Sequence, residues 1–155
     1  MSRAFIKEDA SAGPLALPEL ELGEGPNLVT QRGFDRIAEK VVVLEAELAA
    51  ARDDDTRSRV SRDLRYWSVR KASAQIVEAQ NRDTVGFGCR VTLSRNGRSQ
   101  TLEIVGEDEA DPAHARINWR APLAAAILGA KAGETITWVN RTPPEEIEIL
   151  AIEPL

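Results

Sequence analysis

The sequence predicts an α+β protein: an N-terminal antiparallel helical hairpin of the coiled-coil kind, then a small, mainly antiparallel β domain with one short helix. Three observations carry that expectation. Phe34, Ile37, Val41, Leu44, Leu48 and Ala51 recur at alternating steps of three and four, and Val60, Leu64, Trp67, Lys71 and Ala74 do the same on the way back. Folding the chain at Asp54 sets Leu48 against Val60, Leu44 against Leu64, Val41 against Trp67, Ile37 against Lys71 and Phe34 against Ala74. A seam of a and d positions that survives reflection is what two helices need to pack antiparallel. From Val85 onward the apolar residues alternate instead, and Asn96-Gly97 supplies an efficient hairpin turn.

Residues 1–26 hold Pro14, Pro18 and Pro26, three glycines, and five acids against two bases. They read as a flexible tail, with Phe5 and Ile6 on a frayed terminus. The hairpin is expected over 27–80. Thr30 can cap a first helix running from about Gln31 to Arg52, and Asp55 or Thr56 can cap a second that continues to about Ala79. Asn81-Arg82-Asp83-Thr84 reads as a linker. Within the third region, 85–155, strands are expected at Val91–Leu93, Leu102–Ile104, Ile117–Trp119, Ile136–Trp138 and Ile147–Ala151. Gly106 to Asp111 is an acidic turn. Pro122 opens a short helix, Leu123 to Leu128, stopped by Gly129, and Pro143-Pro144 turns the chain before the last strand.

Composition narrows the function. The chain has 155 residues and a formal charge of −5, which argues against a general nucleic-acid coat. No apolar run is long enough to span a membrane, and the first residues lack the apolar core of a secretory signal, so a cytoplasmic protein is expected. Cys89 and His114 are the sole cysteine and histidine, which excludes an internal disulfide and the usual thiolate–imidazole metal site. Neither a nucleophile–base pair nor a complete metal site is visible. The chain is therefore expected to need no cofactor of its own and not to be an enzyme by itself.

Several residues bear on chemistry, each with a plainer reading beside it. Asp53, Asp54 and Asp55 at the hairpin tip suit a solvated, capped turn. Three together also repel one another, a cost that a bound cation would relieve. Arg57, Arg59, Arg62, Arg65, Arg70 and Lys71 face a single acid, Asp63, on the second helix. They form either a solvated face paired with acids such as Glu45 and Glu47, or a basic flank for phosphate or another acidic surface. Trp67 falls on the seam and reads as core packing. Lys71, also on the seam, is expected to pack its stem and extend its ammonium to water. The Glu107–Asp111 cluster lacks the spacing of a calcium loop. His114 reads as a surface turn residue, and Cys89 as packed.

The sequence resembles the bacterial transcript-cleavage factors GreA and GreB. The resemblance is strongest at Ile104-Val105-Gly106-Glu107-Asp108-Glu109-Ala110-Asp111. It continues through Phe87-Gly88, Val91-Thr92-Leu93, Pro122-Leu123-Ala124, Leu128-Gly129 and Gly133-Glu134, and at the front through Thr30-x-x-Gly33. It implies an FKBP-like C-terminal domain that docks on bacterial RNA polymerase, and a hairpin that inserts through the secondary channel toward the active centre. Asp53, Asp54 and Asp55 would help hold the polymerase Mg²⁺, and the polymerase would cleave its own backtracked RNA. Arg57, Arg59, Arg62 and Arg65 become candidates for contact with RNA or channel wall. Arg120, Ala121 and Pro122 stand where the family places an Asp or Asn followed by Ser-Pro for docking, and they are the docking candidates here. A monomer is implied.

The tip, Ala51-Arg52-Asp53-Asp54-Asp55-Thr56-Arg57, differs from the Asp-Leu-x-Glu-Asn-Ala-Glu-Tyr type of cleavage-active relatives, and the rod is shorter. Two variants follow: a factor that stimulates cleavage, and one that occupies the channel without cleaving or competes with Gre factors. Peptidyl-prolyl isomerase activity from an FKBP-like domain, or an adaptor role without polymerase, are the readings from other classes.

Overall fold

The computed structural model describes residues 17–78, 80 and 83–155. The expectations placed on Phe5, Ile6, Asn81 and Arg82 lie outside the described residues. The first element, β1, is a three-residue strand, Asn27–Val29. Thr30 then caps α1, Gln31–Ala50, accepting a hydrogen bond from the Gly33 amide. Three residues later α2, Asp54–Ser73, begins behind Asp53. The chain doubles back, because β1 pairs in parallel with β2, Ala74–Ile76, so that the start of α1 and the end of α2 meet. Ile37, Val41 and Leu44 of α1 and Val60 of α2 are buried. Phe34, Leu48, Leu64 and Trp67 are half-buried.

Four details differ from the sequence expectation. First, α1 stops at Ala50 and α2 at Ser73, short of Arg52 and Ala79. Ala74 is extended (φ −61°, ψ 129°), and beyond it β2 takes the backbone bonds that a longer helix would have kept, with the Val77 amide donating to the Val29 carbonyl. Second, the cap of α2 is Asp53 rather than Asp55 or Thr56. Third, Lys71 is exposed, and the neighbouring Arg70 is the buried residue at the base of α2. A cation can be buried there because carboxylates from the acidic turn meet it. Fourth, residues 17–26 are exposed and irregular but not unattached: Arg65 grips the Glu19 carboxylate (2.5 Å), and the Arg120 guanidinium donates to the carbonyls of Glu24 and Pro26.

The second half is one five-stranded mixed sheet of order β5-β4-β3-β7-β6. Its strands are β3 (Cys89–Arg95), β4 (Arg98–Val105), β5 (Arg116–Asn118), β6 (Thr135–Trp138) and β7 (Glu145–Pro154). Asn96 and Gly97 both have positive φ, 50° and 73°, which produces the tight β3–β4 turn that their types favour. The β3–β4, β3–β7 and β6–β7 pairs are antiparallel. β5 runs parallel to β4, since two short 3-10 turns, Glu107–Glu109 and Pro112–His114, carry the chain back between them. The alternating residues Val91, Leu93, Leu102, Ile104, Ile147 and Ile149 form the buried face. The helix α3, Pro122–Ile127, lies over them through Ala124 and Ile127. No helix among the described residues is long and apolar enough to cross a membrane.

Candidate functional site

The far end of the helix pair is built by a cap. The Asp53 Oδ1 accepts from the Thr56 amide (2.7 Å), and its Oδ2 accepts from the Thr56 hydroxyl (2.8 Å). These two bonds, the amide first, hold the Asp53 carboxyl below the usual carboxylate range. Asp54, with its side chain 87% exposed, pairs with Arg57 three residues on (2.9 Å). The Asp55 side chain makes no hydrogen bond or ion pair among the described residues and is exposed. The three aspartates are thus chemically distinct: one bound into the cap, one shared with arginine, one open to solvent. No group of three or more carboxylate, imidazole or thiol side chains capable of holding a metal occurs among the described residues.

The basic flank is less free than its composition suggests. Arg57 pairs with Asp54, Arg59 lies 3.8 Å from Asp63, and Arg62 contacts the same Asp63 at 2.9 Å. Arg65 pairs with Glu19. Among the described residues none of the four meets Glu45 or Glu47, the acids that the plainer of the two readings offered as partners. Three of these pairs are local to α2. The fourth joins a segment whose approach to the helix no helical spacing could reveal. The exposed pairs, Arg57–Asp54 and Arg65–Glu19, contribute little, about 0–1 kcal/mol, whereas Arg62 and Asp63 are half-buried.

At the opposite end, the acidic turn anchors both helices. Asp108 accepts from the Tyr66 hydroxyl (2.6 Å) and the Arg70 Nε (2.5 Å), and Glu107 lies 3.4 Å from the Arg70 Nη2. Glu109 accepts from the Thr30 hydroxyl and the Arg32 Nε, both at 2.5 Å. Burial, and then the bond to Asp108, push the Tyr66 phenol well above its ordinary range, so it keeps its proton and donates. Beside this cluster, Glu103 on β4 meets Arg32, Arg90 and Arg116 at 2.8, 3.1 and 3.1 Å. Burial raises its affinity for a proton, but the three guanidinium groups outweigh that and lower the pKa to about 2. Sequence reading gave Tyr66 and Arg70 no part in such a cluster, since their partners come from the other half of the chain.

The docking candidates lie between β5 and α3. Arg120 stacks over the Trp119 ring, 4.8 Å from its centroid, and its amide donates to the Asn118 side chain. Ala121 precedes α3, and Pro122 occupies its first turn, exposed. The Arg120 guanidinium already binds the Glu24 and Pro26 carbonyls, so this surface is shared with the segment leading into β1. His114, which had no evident partner in sequence, pairs through Nδ1 with the Asp111 carboxylate (2.6 Å). Cys89 is buried, its Sγ bonded to the Gly86 carbonyl. A cleft of about 570 Å³ lies beside Asn96, Thr135, Pro143 and Glu146.

Residues 79–154 match the family model described as transcription elongation factor GreA/GreB, C-terminal. Transcription elongation factor GreB of Neisseria meningitidis (serogroup A) is 39% identical over 98 residues, 61% of this chain and 60% of that protein. The chain therefore spans about 60% of the length of that relative. Transcription elongation factor GreA of Nitrobacter hamburgensis is 31% identical over 112 residues, 70% of each chain. Among solved structures, Gfh1 of Thermus thermophilus is 17% identical, covering 83% of this chain and 99% of that one, with a TM-score of 0.40, a likeness too slight to carry an argument.

Proposed function

Since the chain belongs to the GreA/GreB family of transcription elongation factors, we propose that it binds bacterial RNA polymerase and extends its helix pair into the secondary channel, stimulating cleavage of backtracked RNA. On this reading the described chain divides at about residue 80 into a probing hairpin and an FKBP-like docking domain, and it acts in the cytoplasm, where the polymerase is. It is an accessory to the polymerase's own nuclease chemistry, not an enzyme.

One observation carries the reading furthest: Asp55 is an uncommitted carboxylate at the far end of the helix pair. The polymerase Mg²⁺ would supply the activation of water, and a carboxylate donor at a fixed position is what such an ion accepts. Asp53 is better suited to holding the turn, because both of its oxygens are occupied. Asp54 would contribute only on releasing Arg57. Arg65, whose partner Glu19 is exposed, and Arg59 and Arg62, which share the half-buried Asp63, would release these carboxylates to meet RNA phosphate or an acidic channel wall. Arg120, Ala121 and Pro122 form the docking surface proposed for the polymerase rim.

Backtracked elongation complexes of the cognate polymerase, supplied with Mg²⁺, test the proposal directly. Faster release of short 3′ RNA is expected with the parent protein, and a fall of about tenfold or more is expected with Asp55→Ala, the scale seen when one charge-stabilising group is removed. Binding without acceleration would favour the second reading, a channel-occupying modulator. A tip that lacks the Glu-Asn-Ala-Glu-Tyr pattern, on a shortened rod, gives that alternative its support.

A further inference from the structure

The turn Glu107–Glu109 lies at the root of the helix pair, and its two central carboxylates divide the work. Asp108 receives a hydroxyl and a guanidinium from α2, those of Tyr66 and Arg70. Glu109 receives a hydroxyl and a guanidinium from the start of α1, those of Thr30 and Arg32. The side chains of Asp108 and Glu109 are only 7% and 2% exposed. Adjacent residues on one rigid turn therefore hold one helix each, through the same pair of donor types. The backbone is fitted to this arrangement too. A Cβ on Gly33 would stand 2.7 Å from the Glu109 Oε2, so α1 approaches the carboxylate as closely as it does because that position has no side chain.

We propose that Asp108 and Glu109 are positioning residues that together fix the direction in which the helix pair leaves the sheet, and so aim its acidic end. The proposal rests on reading that end as the part inserted into the polymerase. Its physical basis is a lever. Packed helices lie about 8–10 Å apart, while 20 residues of helix reach about 30 Å. A slip of about 1 Å at one of the two anchors becomes about 3 Å at the far end on that geometry. A magnesium ligand works only near 2.0–2.1 Å, roughly, so such a slip removes it from use. Buried ion pairs of this kind often add little net stability, because desolvation offsets their attraction. What two carboxylates with four directional donors do supply is a single orientation.

The test uses the full chain with nitroxide labels on cysteines introduced at Arg52, near the far end, and Arg98, on the sheet. Electron–electron dipolar spectroscopy then reads the distance between them. A narrow distribution is expected in the parent. Tyr66→Phe combined with Arg32→Gln removes one donor from each carboxylate while leaving Arg70 paired, so folding should persist, checked by circular dichroism. That variant should broaden the distribution by about 3 Å, the lever's amplification of a slip near 1 Å, with Asp108→Asn and Glu109→Gln broadening it further. In the cleavage assay the same variants should lose at least about tenfold in stimulation, since a misplacement near 1 Å costs that much or more, while polymerase affinity is retained. An unchanged distribution overturns the proposal. Broadening supports it whether or not the parent stimulates cleavage, and a parent that binds without stimulating overturns only the functional reading.

Discussion

Gly33 lies in the first turn of α1, where alanine would ordinarily stabilise the helix by about 1 kcal/mol through backbone entropy and propensity. Here the sign should reverse. The new methyl would meet the Glu109 Oε2 at 2.7 Å and the Thr30 hydroxyl at 3.3 Å, and Glu109 cannot swing aside because two donors hold it in a buried site. Gly33→Ala is expected to destabilise the fold by about 1–3 kcal/mol, the cost of overpacking, read as a lower urea midpoint with an unchanged slope. The Thr30-x-x-Gly33 pattern is thereby explained as one device. Thr30 caps the helix with its oxygen and donates its hydroxyl hydrogen bond to Glu109, and Gly33 leaves room for that carboxylate.

Among the elements, β4 is the hub, because Glu103 draws guanidinium groups from α1, β3 and β5 onto one carboxylate. Its pKa falls from an ordinary 4.5 to about 2 in the folded chain. A carboxyl depressed in this way contributes stability that is fully present above its unfolded value and is lost as pH falls through the folded one. The melting temperature should therefore drop between about pH 4.5 and 2, and Glu103→Gln should flatten that part of the profile relative to the parent. The missing stability at neutral pH should be about 2 kcal/mol, allowing for partial screening by solvent.

How far the elements could be read from sequence follows from the range of the interactions that make them. The β3–β4 hairpin was legible because Asn96-Gly97 and the flanking alternation lie within one short stretch. So were the start of α1, with its Thr30 cap, and α3, with Pro122. The strands β1 and β2 were not. Each has three residues, and their pairing joins Asn27 to Ala74 across the whole helix pair, so no local pattern marks them. The same reason hid the buried Arg70. Its position breaks the heptad seam, and the carboxylates that make burial tolerable come from after β4. The acidic tip was legible as a cluster, but the distinction among its three members depends on which oxygens the Asp53 cap occupies.

For the whole molecule, the root contacts imply cooperativity. Thr30, Arg32, Tyr66 and Arg70 all bind the turn after β4, so loosening the helices exposes buried carboxylates of the sheet-bearing half. Helix content and tryptophan fluorescence should report one coincident urea transition, because Trp119 and Trp138 pack on the sheet and Trp67 on the helices. Asp108→Asn should split that transition in two, the helical signal melting first. A parent with two separated transitions would contradict this coupling.

The two helices contain 20 residues each, joined by three. Equal arms make the far end behave as the mark on a ruler. Lengthening one arm alone would rotate its apolar stripe off the other, so a change that keeps the seam has to add a heptad to both, and each such step moves the end by about 10 Å. Reach in a molecule of this design is consequently quantised, and selection can adjust it only in paired strides, never by gradual creep.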